Sequence, residues 1–105
     1  MANYLLAYTG GSGMAQTEAE REAAMAKWGQ WFQTLGSAVV NPGNPLGASA
    51  SVEAAGTNGA AKSGLSGFSI VAADSLDAAS ELAKGCPVLE GGGKVDVYEA
   101  IPITM

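Results

Sequence analysis

The segment that most restricts this chain is Phe68-Ser69-Ile70-Val71-Ala72-Ala73, a β-type run with apolar residues at both parities. Side chains alternate along a strand, so Phe68, Ile70 and Ala72 face one way while Val71 and Ala73 face the other. A strand that is apolar on both faces needs cover on both. The chain has 105 residues, enough for one domain, residues 1–105, with one core. Its own helices can cover one side of a sheet, and a copy of the same sheet is the simplest cover for the other.

The remaining elements follow from spacing and punctuation. Asn3 to Tyr8 reads as a strand that stops at Gly10-Gly11-Ser12-Gly13. Thr17 and Glu20 form a capping-box pattern, so a helix is expected to start near Glu18, with Glu18, Glu20 and Glu22 favoured by the helix dipole. Ala24, Trp28, Trp31 and Leu35, widened by Phe32, mark its buried face, and Gly36 its stop. Gly29 inside this helix costs roughly 1 kcal/mol against Ala, less than a buried tryptophan returns. Ser37 to Val40 reads as a second strand, ended by Asn41-Pro42-Gly43-Asn44-Pro45.

From Ala48 to Ala54 apolar and polar residues alternate, which predicts a weak, half-exposed edge strand. Gly56 to Gly64, with Asn58-Gly59, reads as a mobile loop or hairpin tip. After Ala73, Asp74 or Ser75 can cap a second helix whose Leu76, Ala79, Leu82 and Ala83 face the core, closed by Gly85 and Pro87. Gly91-Gly92-Gly93 opens a last strand, Lys94 to Ile101. The order β-α-β-β-α-β is that of an α+β, ferredoxin-like sandwich with both helices on one sheet face.

Composition excludes more functions than it supports. The chain has no histidine, one cysteine, five basic residues and a net charge of −5. Arg21, Lys27, Lys62, Lys84 and Lys94 are scattered, so neither nucleic acid nor an anionic membrane is an expected partner. Lone Cys86 forms no internal disulfide, and Asn3–Tyr8 is too short for a signal core or a membrane span, so a cytoplasmic location is expected. Neither a metal nor a cofactor is expected. Gly10–Gly13 is followed by neither Gly-Lys-Ser/Thr nor a dinucleotide fingerprint, and reads as a flexible connector rather than a phosphate cradle.

The run Gly67–Pro87 (GFSIVAADSLDAASELAKGCP), followed by Gly92-Gly93-Lys94-Val95-Asp96-Val97, resembles the YCII-related family, whose members often carry a DGPF motif. The opening strand and the helix before Gly36 fit the same pattern more loosely. The resemblance implies a homodimeric α+β barrel with two ferredoxin-like sheets face to face. Where DGPF is usual, this chain has Thr57 to Ser63, without Asp, Pro or Phe. The resemblance also implies, for members with a catalytic role, a His–Asp pair with its His on the first helix; Met25 to Trp28 supplies no imidazole.

Candidate sites are few. Tyr4, Tyr8, Trp28, Trp31 and Tyr98 are the set that can line a small-molecule cavity, with core packing as the competing role. Tyr4, Leu6 and Tyr8 share a strand face, so both hydroxyls would enter a dimer barrel if that face looked into it. Asp74, at a strand end, is the candidate catalytic carboxylate; Glu53 is the only one between Met25 and Ala73. Cys86 lies past a helix C-terminus, where the dipole raises a thiol pKa, and reads as a packed structural residue. Three functions follow in order: a non-catalytic dimer binding a small metabolite in its barrel, a cofactor-independent isomerase, lyase or monooxygenase using Tyr and Asp, and a regulatory partner of a sigma factor. The last is implied by the resemblance alone.

Overall fold

The structure, a computed structural model, describes residues 1–10 and 17–103. Its centre is β1 (Ala2–Thr9), which pairs antiparallel with β5 (Leu65–Ala73) on one side and β6 (Lys94–Ala100) on the other. Short β2 (Val39–Asn41) joins the far edge of β5, giving the order β2-β5-β1-β6. Helices α1 (Glu18–Leu35) and α2 (Leu76–Ala83) lie on one face of this sheet. The fold is thus the ferredoxin-like α+β arrangement expected from the element order. Its smallest dimension, 20 Å, fits one sheet and one helix layer.

Local chemistry accounts for the helix ends. Thr17 Oγ1 accepts from the Glu20 amide at 3.1 Å, and Gly36, at φ 58°, donates its amide back to the Phe32 carbonyl. Ser75 rather than Asp74 caps α2, accepting from the Ala78 amide at 3.0 Å. Between the layers, Leu6 and Val71 are fully enclosed, with Tyr4, Tyr8, Trp31, Ala73, Ala79, Ala83 and Cys86 around them. Each of the two aliphatic side chains contributes about 1.5–3 kcal/mol by leaving water.

The middle of the chain departs from the alternation expected of it. Within Ala48–Ala54 only Val52–Glu53 is extended and paired (β3), and it pairs with β4 (Gly56–Thr57) in a separate hairpin that turns at Ala54-Ala55, ahead of Asn58-Gly59. Side chains this small bury too little area to dock a strand on the sheet. The edge of β5 is followed instead by the Pro42–Pro45 loop, where the Phe68 amide donates to the Asn44 carbonyl and the Leu46 amide to that of Ser66. Ser37 and Ala38 form a 3₁₀ turn rather than the start of a strand. Ala24 and Leu76, both in the first half of their helices, are exposed rather than buried.

The two sides of β5 differ as its pattern requires. Gly67, Ser69, Val71 and Ala73 are buried under the helix layer, while Phe68, Ile70 and Ala72 are half-buried on the face that carries neither helix. Leu5 and the exposed Tyr98 are cross-strand partners on that second face.

Candidate functional site

On the helix side, an unfilled cleft of about 520 Å³ separates α1 from the Pro42–Pro45 loop. Met25, Trp28, Gly29 and Phe32 of α1 form one wall and the loop the other, with Ser66–Ser69, Tyr8 and Val88 completing it. The aromatic wall is mutually supported: Trp28 meets Tyr8 edge-on at 5.2 Å between ring centres, Trp31 edge-on at 5.7 Å and Phe32 at 6.0 Å. Gly29 leaves the helix bare here, since a Cβ at that position would meet nothing within 4 Å.

The opposite wall is built to stay in place. Asn41 Oδ1 accepts from the Gly43 amide at 2.8 Å, an Asx-type turn, and Ser69 Oγ donates to the Pro42 carbonyl at 2.7 Å. Gly43 has φ +76°, and a Cβ there would stand 1.8 Å from the Phe68 carbonyl oxygen, so only glycine fits.

Tyr8 carries the unusual group. Its hydroxyl is buried and has no hydrogen-bond partner among the described residues, with Ser69 and Cys86 as its polar neighbours. Burial pushes its pKa well above the usual phenol value, so the group is a neutral donor rather than a base. Burial likewise pushes the Cys86 thiol up to about 11. Burial, rather than the helix dipole invoked from sequence, is the leading cause.

The aromatic set proposed from sequence is divided by the fold. Tyr8 and Trp28 line the cleft. Trp31 is packed behind it, its Nε1 donating to the Leu82 carbonyl at 3.3 Å. Tyr4 belongs to the core at the other end of β1, where burial, then Glu99 and Asp74, raise its pKa. Tyr98 is exposed on the opposite sheet face. Tyr4, Leu6 and Tyr8 do share a face, but it lies under the helices, so their hydroxyls do not point toward the space a second sheet would enclose.

Asp74 is exposed just beyond β5, roughly 15 Å along the strand from Ser69. Glu53 is exposed on the separate hairpin, and Asp96 lies 3.7 Å from Lys94 at the sheet's edge strand. No three His, Cys, Asp or Glu side chains gather as a metal site among the described residues. Of the Gly10–Gly13 turn, residues 11–13 lie outside the described residues. Sequence reasoning missed Gly29, Ser69, Val88 and the Pro42–Pro45 wall. The two prolines around Gly43-Asn44 were the available signal, since such a stretch follows a sheet edge without joining it.

These features define a small ferredoxin-like α+β domain with an apolar, aromatic-walled cleft beside its first helix. The chain belongs to the YCII-related domain family, whose model matches residues 1–104. No curated protein and no solved structure matches it. No helix among the described residues is long and apolar enough to cross a membrane.

Proposed function

We propose that this YCII-related protein binds a small neutral molecule in the cleft beside α1 and works as a cytoplasmic homodimer joined through the helix-free face of its sheet. The cleft itself carries the first part. Its volume falls within the range of roughly 300–1,000 Å³ typical of ligand pockets, and among the described residues its only ionisable lining residue is Tyr8. A phenol held neutral by burial favours binding over proton transfer, and the exposed carboxylates Asp74 and Glu53 stand away from the cleft. The half-buried row Phe68, Ile70, Ala72 on the uncovered face supports the second part, because a copy of the same sheet supplies the missing layer.

Trp28 makes the first part measurable. Titration with a panel of uncharged ring compounds is expected to change tryptophan fluorescence saturably, and a panel that produces no saturable change overturns the binding role. Sedimentation at micromolar concentration is expected to give twice the chain mass; a monomer overturns the dimer and leaves the cleft untouched.

A further inference from the structure

Gly29 is the one glycine inside either helix, and nothing in the local fold asks for it. Its φ is not in the left-handed region, and a Cβ added there would meet nothing within 4 Å. An interior glycine lowers helix stability relative to alanine, so the missing side chain is explained by what it leaves open. Met25, Trp28, Gly29 and Phe32 stand at i, i+3, i+4 and i+7, the positions of one helix face, and all four line the cleft. A side chain at Gly29 would therefore project from the face that carries the ring wall, between Met25 and Phe32.

Little else in the lining can choose an occupant. Among the described residues no Lys, Arg, Asp or Glu borders the cleft, so a charged occupant would lose its hydration without compensation. Ser69 Oγ donates to the Pro42 carbonyl and Ser66 Oγ to that of Tyr8. The Tyr8 hydroxyl is enclosed beside Ser69 and Cys86, and Asn44 is exposed to water. Selection then falls to size and shape. A cavity of about 150 Å³ takes one benzene ring, so the roughly 520 Å³ of the cleft has room for about two or three. Its walls, aromatic on one side and proline-rich on the other, offer apolar faces on which ring systems stack.

We propose that Gly29 is the specificity-determining residue of the cleft, setting its size limit, and that the occupant is an uncharged compound of two or three fused rings. This rests on the cleft being the ligand site proposed above. A glycine that is merely structural would move stability and affinity together when replaced, whereas one that keeps space open moves them in opposite directions.

The test uses benzyl alcohol, naphthalenemethanol and anthracenemethanol, which carry the same side group on one, two and three rings. Affinities for the full chain are read by calorimetry, and stability by urea melts. The two larger compounds are expected to bind wild type at least about tenfold more tightly than benzyl alcohol. Gly29→Ala is expected to raise the urea midpoint while weakening anthracenemethanol at least about threefold and leaving benzyl alcohol within about twofold. Gly29→Leu is expected to weaken both larger compounds at least about thirtyfold, with a urea midpoint no lower than that of wild type.

Benzyl alcohol bound as tightly as the larger compounds by wild type overturns the ring class. Affinity for anthracenemethanol that is unchanged in both variants, or that falls in step with stability, overturns the assignment to Gly29 while leaving the cleft as a site. No binding of any of the three overturns the cleft reading itself. The wild-type series and Gly29→Ala decide both points even if Gly29→Leu fails to fold.

Discussion

The two helices cover the same face of the same sheet, yet one closes it and the other leaves a gap. Helix α2 lies close over β1, β5 and β6, with Ala79 and Ala83 as its buried contacts. Methyl-sized side chains let its backbone approach the strands. Helix α1 approaches no strand as closely, and only Trp31 of its residues is buried. Trp28 and Phe32 hold it off as half-buried spacers, and the space they prop open is the cleft. A layer of small residues seals, whereas a layer of rings on a helix interrupted by glycine leaves a cavity that rigid groups cannot collapse into.

The largest effect is expected where the far wall of the cleft is pinned. Gly43→Ala forces a Cβ against the Phe68 carbonyl and puts an L-residue at φ +76°. Backbone strain and overlap together are expected to cost about 3 kcal/mol or more, read as a shift in the urea midpoint. If the wall is what keeps the cleft open, ligand affinity falls with it. A variant as stable as the wild type would show that the loop is free to move and that the gap is not a built feature.

Adding bulk under the sealed helix is expected to cost about 1–3 kcal/mol. Ala79 is fully buried, so Ala79→Leu must push α2 off the sheet or force its neighbours off their rotamers. A loss below about 0.5 kcal/mol would mean that α2 also stands over slack space, and the contrast between the helices would disappear.

That contrast was half legible in the sequence. The stop at Gly36, the Thr17 cap and the two-sided strand followed from local rules, because capping, spacing and strand alternation act over a few residues. Ala48–Ala54 shows where such rules run out: its alternation was genuine, but methyl groups carry too little driving force to place a strand. The cleft was legible only through Tyr8 and Trp28. The wall from Pro42 to Pro45 meets β5 across more than twenty positions of sequence, and no local pattern announces which edge a proline-rich stretch will follow.

Cys86 lies at the boundary between the sealed and open regions, packed into the core and a polar neighbour of Tyr8. It therefore reports on which side of the contrast that boundary falls. The thiol pKa is about 11 in the folded chain against an ordinary value of 9.0. Below pH 9 it is neutral in both folded and unfolded states, so its contribution is constant there. Between 9 and about 11 the unfolded chain loses the proton and the folded chain keeps it, so stability falls as pH rises. The slope from one such group is on the order of 1 kcal/mol per pH unit. Urea melts at pH 8, 9 and 10 are expected to show this loss, and Cys86→Ala to flatten part of it. An unchanged slope in the variant would mean that water reaches the thiol from the cleft.

The smallest expected effect has the opposite sign and falls on the open side. Gly29 is interior to α1, its φ is not in the left-handed region, and a Cβ would enter empty space. Replacing it by Ala removes backbone entropy from the unfolded chain and touches nothing, so Gly29→Ala is expected to stabilise the protein by about 0.5–1 kcal/mol. The same chemical step, added carbon on a helix facing the sheet, then lowers stability under α2 and raises it under α1. A destabilising Gly29→Ala would require that α1 settles against the loop in solution, filling with backbone the space that Trp28 and Phe32 hold open.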